Sequence, residues 1–176
     1  VPPSGARIRL CIEADQRAGS LLDALERANG WATFYCPPEF MENNGDLLRR
    51  LAVSGSAVGL LLDPEDPAES LDQQLKRGND ALYRATLTRT RLVYADGGEE
   101  TLQALEQLGY SCLTPDMDRT DYKLESAANA AALLKRVSAR RRDVSVWLGT
   151  TASAAGVKEF VSSAQREGHY CRAMTE

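Results

Sequence analysis

Carboxylates recur at places where they could do chemistry. Glu13 and Asp15 close the stretch "RLCIEAD", Asp63 closes "AVGLLLD", Asp96 follows "LVYA", and "DMDRTD" adds Asp116, Asp118 and Asp121. Paired carboxylates can divide acid and base roles in glycoside hydrolysis when their surroundings separate their pKa values. Several together could instead offer oxygens to calcium or magnesium. "DMDRTD" partly matches a calcium loop, yet it lacks the glycine and the closing glutamate of one. Nitrogen and sulfur donors are scarce. His169 is the single histidine, and Cys11, Cys36, Cys112 and Cys171 form no CxxC pair. A zinc knuckle and a thioredoxin-type motif are therefore excluded. The cysteines read either as buried small hydrophobes or as disulfide partners.

The acids follow short apolar runs separated by amphipathic segments. Strands are predicted over 6–13, 31–36, 57–62, 91–95, 110–114, 143–149 and 169–174. Helices are predicted over 19–29, 39–55 with a break near Asn44 and Gly45, 67–86, 99–109, 126–139 and 154–168. This alternation predicts an α/β protein with parallel strands and outer helices. An open doubly wound sheet and a barrel both satisfy it. "YADGGEE" occupies the position of a phosphate loop without its Gly-x-Gly-x-x-Gly pattern, so a nucleotide site is weakly supported.

In either architecture ligands bind at the carboxyl ends of the strands. That rule gathers Tyr35, Asp63, Tyr94, Asp96 and Trp147 as candidates to line one groove, with Glu13 a weak candidate for a catalytic base. Acids and aromatic faces suit sugar hydroxyls and the apolar faces of sugar rings. A solvated rim is the plain alternative. His169 starts the last strand and so belongs at the opposite end.

With 43% hydrophobic and 26% charged residues, the 176-residue chain fits one globular domain. No apolar run is long enough to span a bilayer. The net charge is −4 and no basic stripe is interleaved with aromatics, so nucleic acid is not an expected partner. "RVSARRR" (136–142) closes a helix, where cations complement the dipole. The opening "VPPSGAR" reads as a linker, giving a remnant over 1–6 and a single domain over 7–176. Membrane contact is expected only through an upstream anchor.

Several stretches resemble one family in order and spacing. "GSLLDALERANGWATFYCPPEFMENNGDLLRRLAVSGSAVG", "TRTRLVYADGGEETLQALEQLGY" and "DVSVWLGTTASAAGVKEFVSSAQREGHY" are similar to successive segments of the polysaccharide deacetylases, the NodB-homology proteins of carbohydrate esterase family 4. The resemblance implies a distorted (β/α)7 barrel. It also implies metal-assisted removal of acetyl groups from glycans, in which a divalent cation polarises the carbonyl and activates water. The family's Phe-Asp-Asp-Gly motif falls on Ile12, Glu13, Ala14 and Asp15. Its histidine pair falls on Ser56 and Leu61, its arginine on Tyr94, that motif's proline on Asp96, and its last histidine on Gly149 or, one register earlier, Leu148. Ala14 and Leu61 have no donor atom, and Ser56 offers a poor one. The resemblance thus implies a member without the divalent metal or the general acid. Such a pseudoenzyme could bind a glycan or a protein partner. An acid-based hydrolase with a rebuilt site, or a structural module of a larger protein, are the alternatives. The family's cell-wall substrates imply an extracytoplasmic location.

Overall fold

The computed structural model describes residues 5–118 and 123–176. Seven parallel strands form one curled sheet: β1 (Arg7–Glu13), β2 (Thr33–Cys36), β3 (Ala57–Leu62), β4 (Leu92–Ala95), β5 (Ser111–Cys112), β6 (Val144–Gly149) and β7 (Tyr170–Cys171). Helices α1 (Ala18–Ala28), α2 (Pro38–Asn43), α3 (Gly45–Ser54), α4 (Leu71–Thr86), α5 (Glu99–Gln107), α6 (Ala127–Ala139) and α7 (Ala154–Arg166) pack outside it. Six strands run in the order β5-β4-β3-β2-β1-β6. This is the distorted barrel of parallel strands with outer helices expected from the sequence.

The barrel closes in an irregular way. Beyond the short β5, Met117 pairs with β6: its N–H donates to the Ser145 carbonyl and its own carbonyl accepts from Trp147. β7 is not a wall strand between β6 and β1. It pairs with Arg7 and Ile8 on β1, and its Cys171 carbonyl accepts from the Trp31 N–H just before β2. β7 therefore wedges between β1 and β2 at their amino ends. Met174, just beyond it, then packs into the barrel lumen.

Local chemistry explains the element ends. α1 stops at Asn29, which takes the left-handed conformation at φ 57. Asn44 breaks the chain between α2 and α3, and its side-chain amide donates to the Phe40 carbonyl at 2.8 Å. α4 starts at Leu71 rather than at residue 67, because Ser70 and Gln73 form a reciprocal capping box. Alternation along each strand sorts side chains into two layers. Ile8, Leu10 and Ile12 of β1 join the larger apolar cluster under the helices. Cys11 joins a smaller lumen cluster with Tyr35, Leu92, Leu113 and Trp147. All four cysteines are free thiols, and burial pushes Cys11 and Cys171 up to about 12.

Candidate functional site

A cleft of about 810 Å³ opens at the carboxyl ends of the strands. Its floor is aromatic. Tyr94 on β4 and Trp147 on β6 stack with ring centroids 4.1 Å apart and planes 19° from parallel. Tyr35 on β2 meets Tyr94 and Trp147 edge-on, at 6.3 and 5.9 Å. Gly59 makes room for it, since a Cβ there would stand 2.7 Å from the Tyr35 ring.

Carboxylates line the walls: Glu13 from β1, Asp63, Glu65, Asp66 and Glu69 from the connection after β3, Glu39 from α2 and Asp96 after β4. Among the described lining residues the only cation is Arg77, already paired with Glu42 and Glu69. That pairing holds the Glu42 carboxyl below its usual range. The connection itself is braced from below. The buried amide of Gln74 accepts from the Asp63 N–H at 2.8 Å and donates to the Asp63 and Glu69 carbonyls at 2.7 and 3.2 Å. The Asp63 side chain in turn accepts from the Glu65 N–H at 3.0 Å. Sequence pattern did not reveal Gln74 or Arg77, because polar helix residues read as solvated until the packing is known.

The structure brings Glu13, Leu61, Asp63, Tyr94, Asp96 and Trp147 to this cleft. It places three other residues elsewhere. Tyr35 does not line the groove; it is fully buried beneath it, because β2 is covered on both faces. Ser56 stands before the first residue of β3, at the amino end, where its hydroxyl accepts from the Ala32 N–H at 3.2 Å. Leu61 stands near the other end of β3, five residues on and roughly 16 Å away by strand rise. The Ser56–Leu61 pair therefore cannot grip one ion. Gly149 does not reach the cleft lining; it sits at a register shift between β1 and β6, with φ 56. Of "DMDRTD", residues 119–121 lie outside the described residues, and Asp116 is held by Ser145 at the start of β6.

A transition metal does not fit the described residues at the motif positions. Ala14 and Leu61 have no lone pair, and Ala14 is packed into the helix-side cluster. Asp15 is engaged by Arg17 at 3.0 Å. Arg17 also donates to the Ala152 carbonyl at 3.2 Å and to that of Thr150, so this acid helps tie the loop after β1 to the loop after β6. Among the described residues, no group of three or more potential ligands converges on a point suited to a metal.

The lone histidine forms a polar cluster that resembles a hydrolytic triad. Ser138 Oγ lies 3.1 Å from His169 Nε2 and 3.1 Å from Glu167 Oε2. The hydrogen bonds run the wrong way for nucleophile activation. His169 Nδ1 accepts from the Ala6 N–H at 3.0 Å, so in the neutral ring Nε2 carries the proton and donates to Ser138. A base would need Nε2 free to receive it. The cluster anchors the chain entering β1, at the end opposite the cleft.

Tyr35 leaves one buried polar atom without a partner, its phenolic oxygen. A buried hydroxyl with no hydrogen bond costs about 1–3 kcal/mol. Tyr35→Phe is therefore expected to raise stability by about 1 kcal/mol in urea unfolding. A loss of similar size would show that the hydroxyl has a partner.

No known family profile matches the chain, and no curated protein matches its sequence. Solved structures do match its fold. Peptidoglycan deacetylase PdaC from Bacillus subtilis is 19% identical with a TM-score of 0.76, over 99% of this chain and 90% of that one. A family 4 carbohydrate esterase from Streptomyces lividans is 18% identical at a TM-score of 0.76, over 98% and 93%. A mutant of BA3943, a CE4 family pseudoenzyme, is 18% identical at 0.75, over 98% and 67%. The chain thus has the fold of the polysaccharide deacetylases of carbohydrate esterase family 4.

Proposed function

We propose that this domain is a catalytically inactive relative of the glycan deacetylases that binds an extracytoplasmic glycan in the carboxyl-end cleft. The observation that carries the reading is the Tyr94–Trp147 stack, which forms an aromatic floor beside Leu61. The half-buried Tyr94 ring can meet the apolar face of a sugar while the buried Trp147 backs it, and the surrounding carboxylates suit the sugar's hydroxyls. The same carboxylates favour a sugar bearing an amine over one bearing an acetamide, because Arg77 is already neutralised. The similarity to peptidoglycan deacetylases and to a pseudoenzyme of their family supports both the glycan and the loss of activity. It also supports a location outside the cytoplasm. No described helix is long and apolar enough to cross a membrane.

Isothermal titration with chitin and peptidoglycan oligomers, each with its de-N-acetylated form, tests the reading. Heat is expected with the amine-bearing oligomers, falling at high salt and lost in Asp63→Asn/Asp96→Asn. Silence with every oligomer removes the glycan. Turnover of an acetylated oligomer that Glu13→Gln abolishes would replace inactivity with an acid-based hydrolase.

A further inference from the structure

We propose that the amino end of the barrel is a docking surface for an anionic lipid bilayer. Because the strands are parallel, their amino ends and the carboxyl ends of the preceding helices share one end of the molecule. Four large hydrophobic side chains are exposed among the described residues, and all four fall at that end. Val53 lies in the last turn of α3 and is 87% exposed. Tyr83 lies in the last turn of α4, while Leu87 caps that helix and Leu108 caps α5, at 75% and 59%. Singly exposed aliphatics are ordinary on any surface. Confinement of all of them to one end is not. Helices α3, α4 and α5 precede β3, β4 and β5, which are neighbours in the sheet. The three aliphatic tips therefore fall on one arc of the rim. Leu87 holds its tip at φ 63, a left-handed backbone that disfavours a leucine.

Arginine continues the same rim. Arg89 and Arg91 occupy the connection into β4, and Arg140, Arg141 and Arg142 the connection into β6; all are exposed. Arg89 lies over the Tyr83 ring at 4.1 Å. Among the described residues, no ion pair engages Arg91, Arg140, Arg141 or Arg142. Carboxylates at this end are fewer than the arginines: Asp143, Glu176, Glu167 and Glu106 keep their charge, hydrogen-bonded where they are bonded only to neutral N–H or hydroxyl donors, and Glu26 is paired with Arg50.

Aliphatic tips among unpaired arginines match the boundary between phosphate headgroups and acyl chains. The acidic cleft lies at the opposite end. A planar anionic surface therefore attracts one end and repels the other, so docking also points the cleft away from the bilayer. This contact is built into the domain and needs no upstream anchor. A soluble polyanion would use the arginines but leave Val53, Leu87 and Leu108 without a role, which favours the lipid.

Co-sedimentation with vesicles of phosphatidylglycerol and phosphatidylcholine, against phosphatidylcholine alone, is the test. Binding is expected only to the anionic vesicles and is expected to weaken with salt. Each cation near such a surface contributes about 1 kcal/mol, so Arg140→Ser/Arg141→Gly/Arg142→Ser should weaken binding on the order of 100-fold. Val53→Ser/Leu108→Ser should weaken it about tenfold with net charge unchanged. Circular dichroism and thermal melts check that both variants fold. Three results overturn the proposal. One is no sedimentation with anionic vesicles. Another is equal affinity for soluble polyphosphate or duplex DNA, insensitive to Val53→Ser/Leu108→Ser. The third is a dimer in sedimentation velocity that the same substitutions dissolve.

Discussion

Trp147→Ala lowers the unfolding free energy by roughly 3–5 kcal/mol, the range for removing a buried large aromatic side chain. The upper part of that range is expected here. Trp147 is 4% exposed and belongs to the lumen cluster. Its indole stacks on Tyr94 and meets the edge of Tyr35, so one deletion removes two ring contacts. The walls around the vacated space are strands. β6 is fixed by pairing with β1 and by the bridge to Met117, so the backbone cannot move in to fill the gap. A domain of this size has about 5–15 kcal/mol of stability to lose. Urea unfolding followed by circular dichroism reads the effect as a lower midpoint at constant slope. Trp147→Phe should recover most of the loss by keeping a ring against Tyr94. A penalty under about 1 kcal/mol would mean that the lumen is not held by this stack.

What the sequence could reveal was set by periodicity. β3 and the break between α2 and α3 stand out because a continuous apolar run, Asn44 and Gly45 each carry a local signal. β1, β4 and β6 emerge to within a residue or so for the same reason. β7 and β5 are shorter than expected, because pairing partners rather than local composition decide how far those strands extend. The site was legible as an end of the barrel, not as a set of contacts. Tyr94, Asp96 and Trp147 reach the cleft because strand ends lead there in any parallel barrel. Tyr35 shares their residue type and strand position, yet Gly59 lets its ring lie across the lumen, and no local rule links those two residues. Ser56 precedes β3, as the predicted bounds of that strand imply, and the hydrogen bond from the Ala32 N–H to its hydroxyl holds it at the amino end, away from the cleft. Gln74 was silent because a helical glutamine acquires its meaning only from the three backbone groups it satisfies.

Restoring the acid of the family motif should harm this protein. Ala14→Asp is expected to cost roughly 3–5 kcal/mol, as for a buried charge left without its partner. Ala14 is 4% exposed, its N–H already donates to the Tyr35 carbonyl at 2.9 Å, and its methyl packs in the apolar cluster beneath the helices. Arg17, three residues on, is committed to Asp15 and to the carbonyls of Thr150 and Ala152. A carboxylate at position 14 would have to draw Arg17 away from that clamp, lie unpaired, or hold a proton. Ala14→Ser, of similar size and uncharged, should cost far less, which separates charge from bulk. Adding Leu61→His should not create a zinc site, because Leu61 packs on the lumen cluster while Ala14 belongs to the other layer. Thermal melts of both variants, with and without zinc, read this directly. The expected result is a low melting temperature that zinc leaves unchanged. A zinc-dependent rise would show that the two side chains face one space, and that this slot remains a metal site rather than a piece of core.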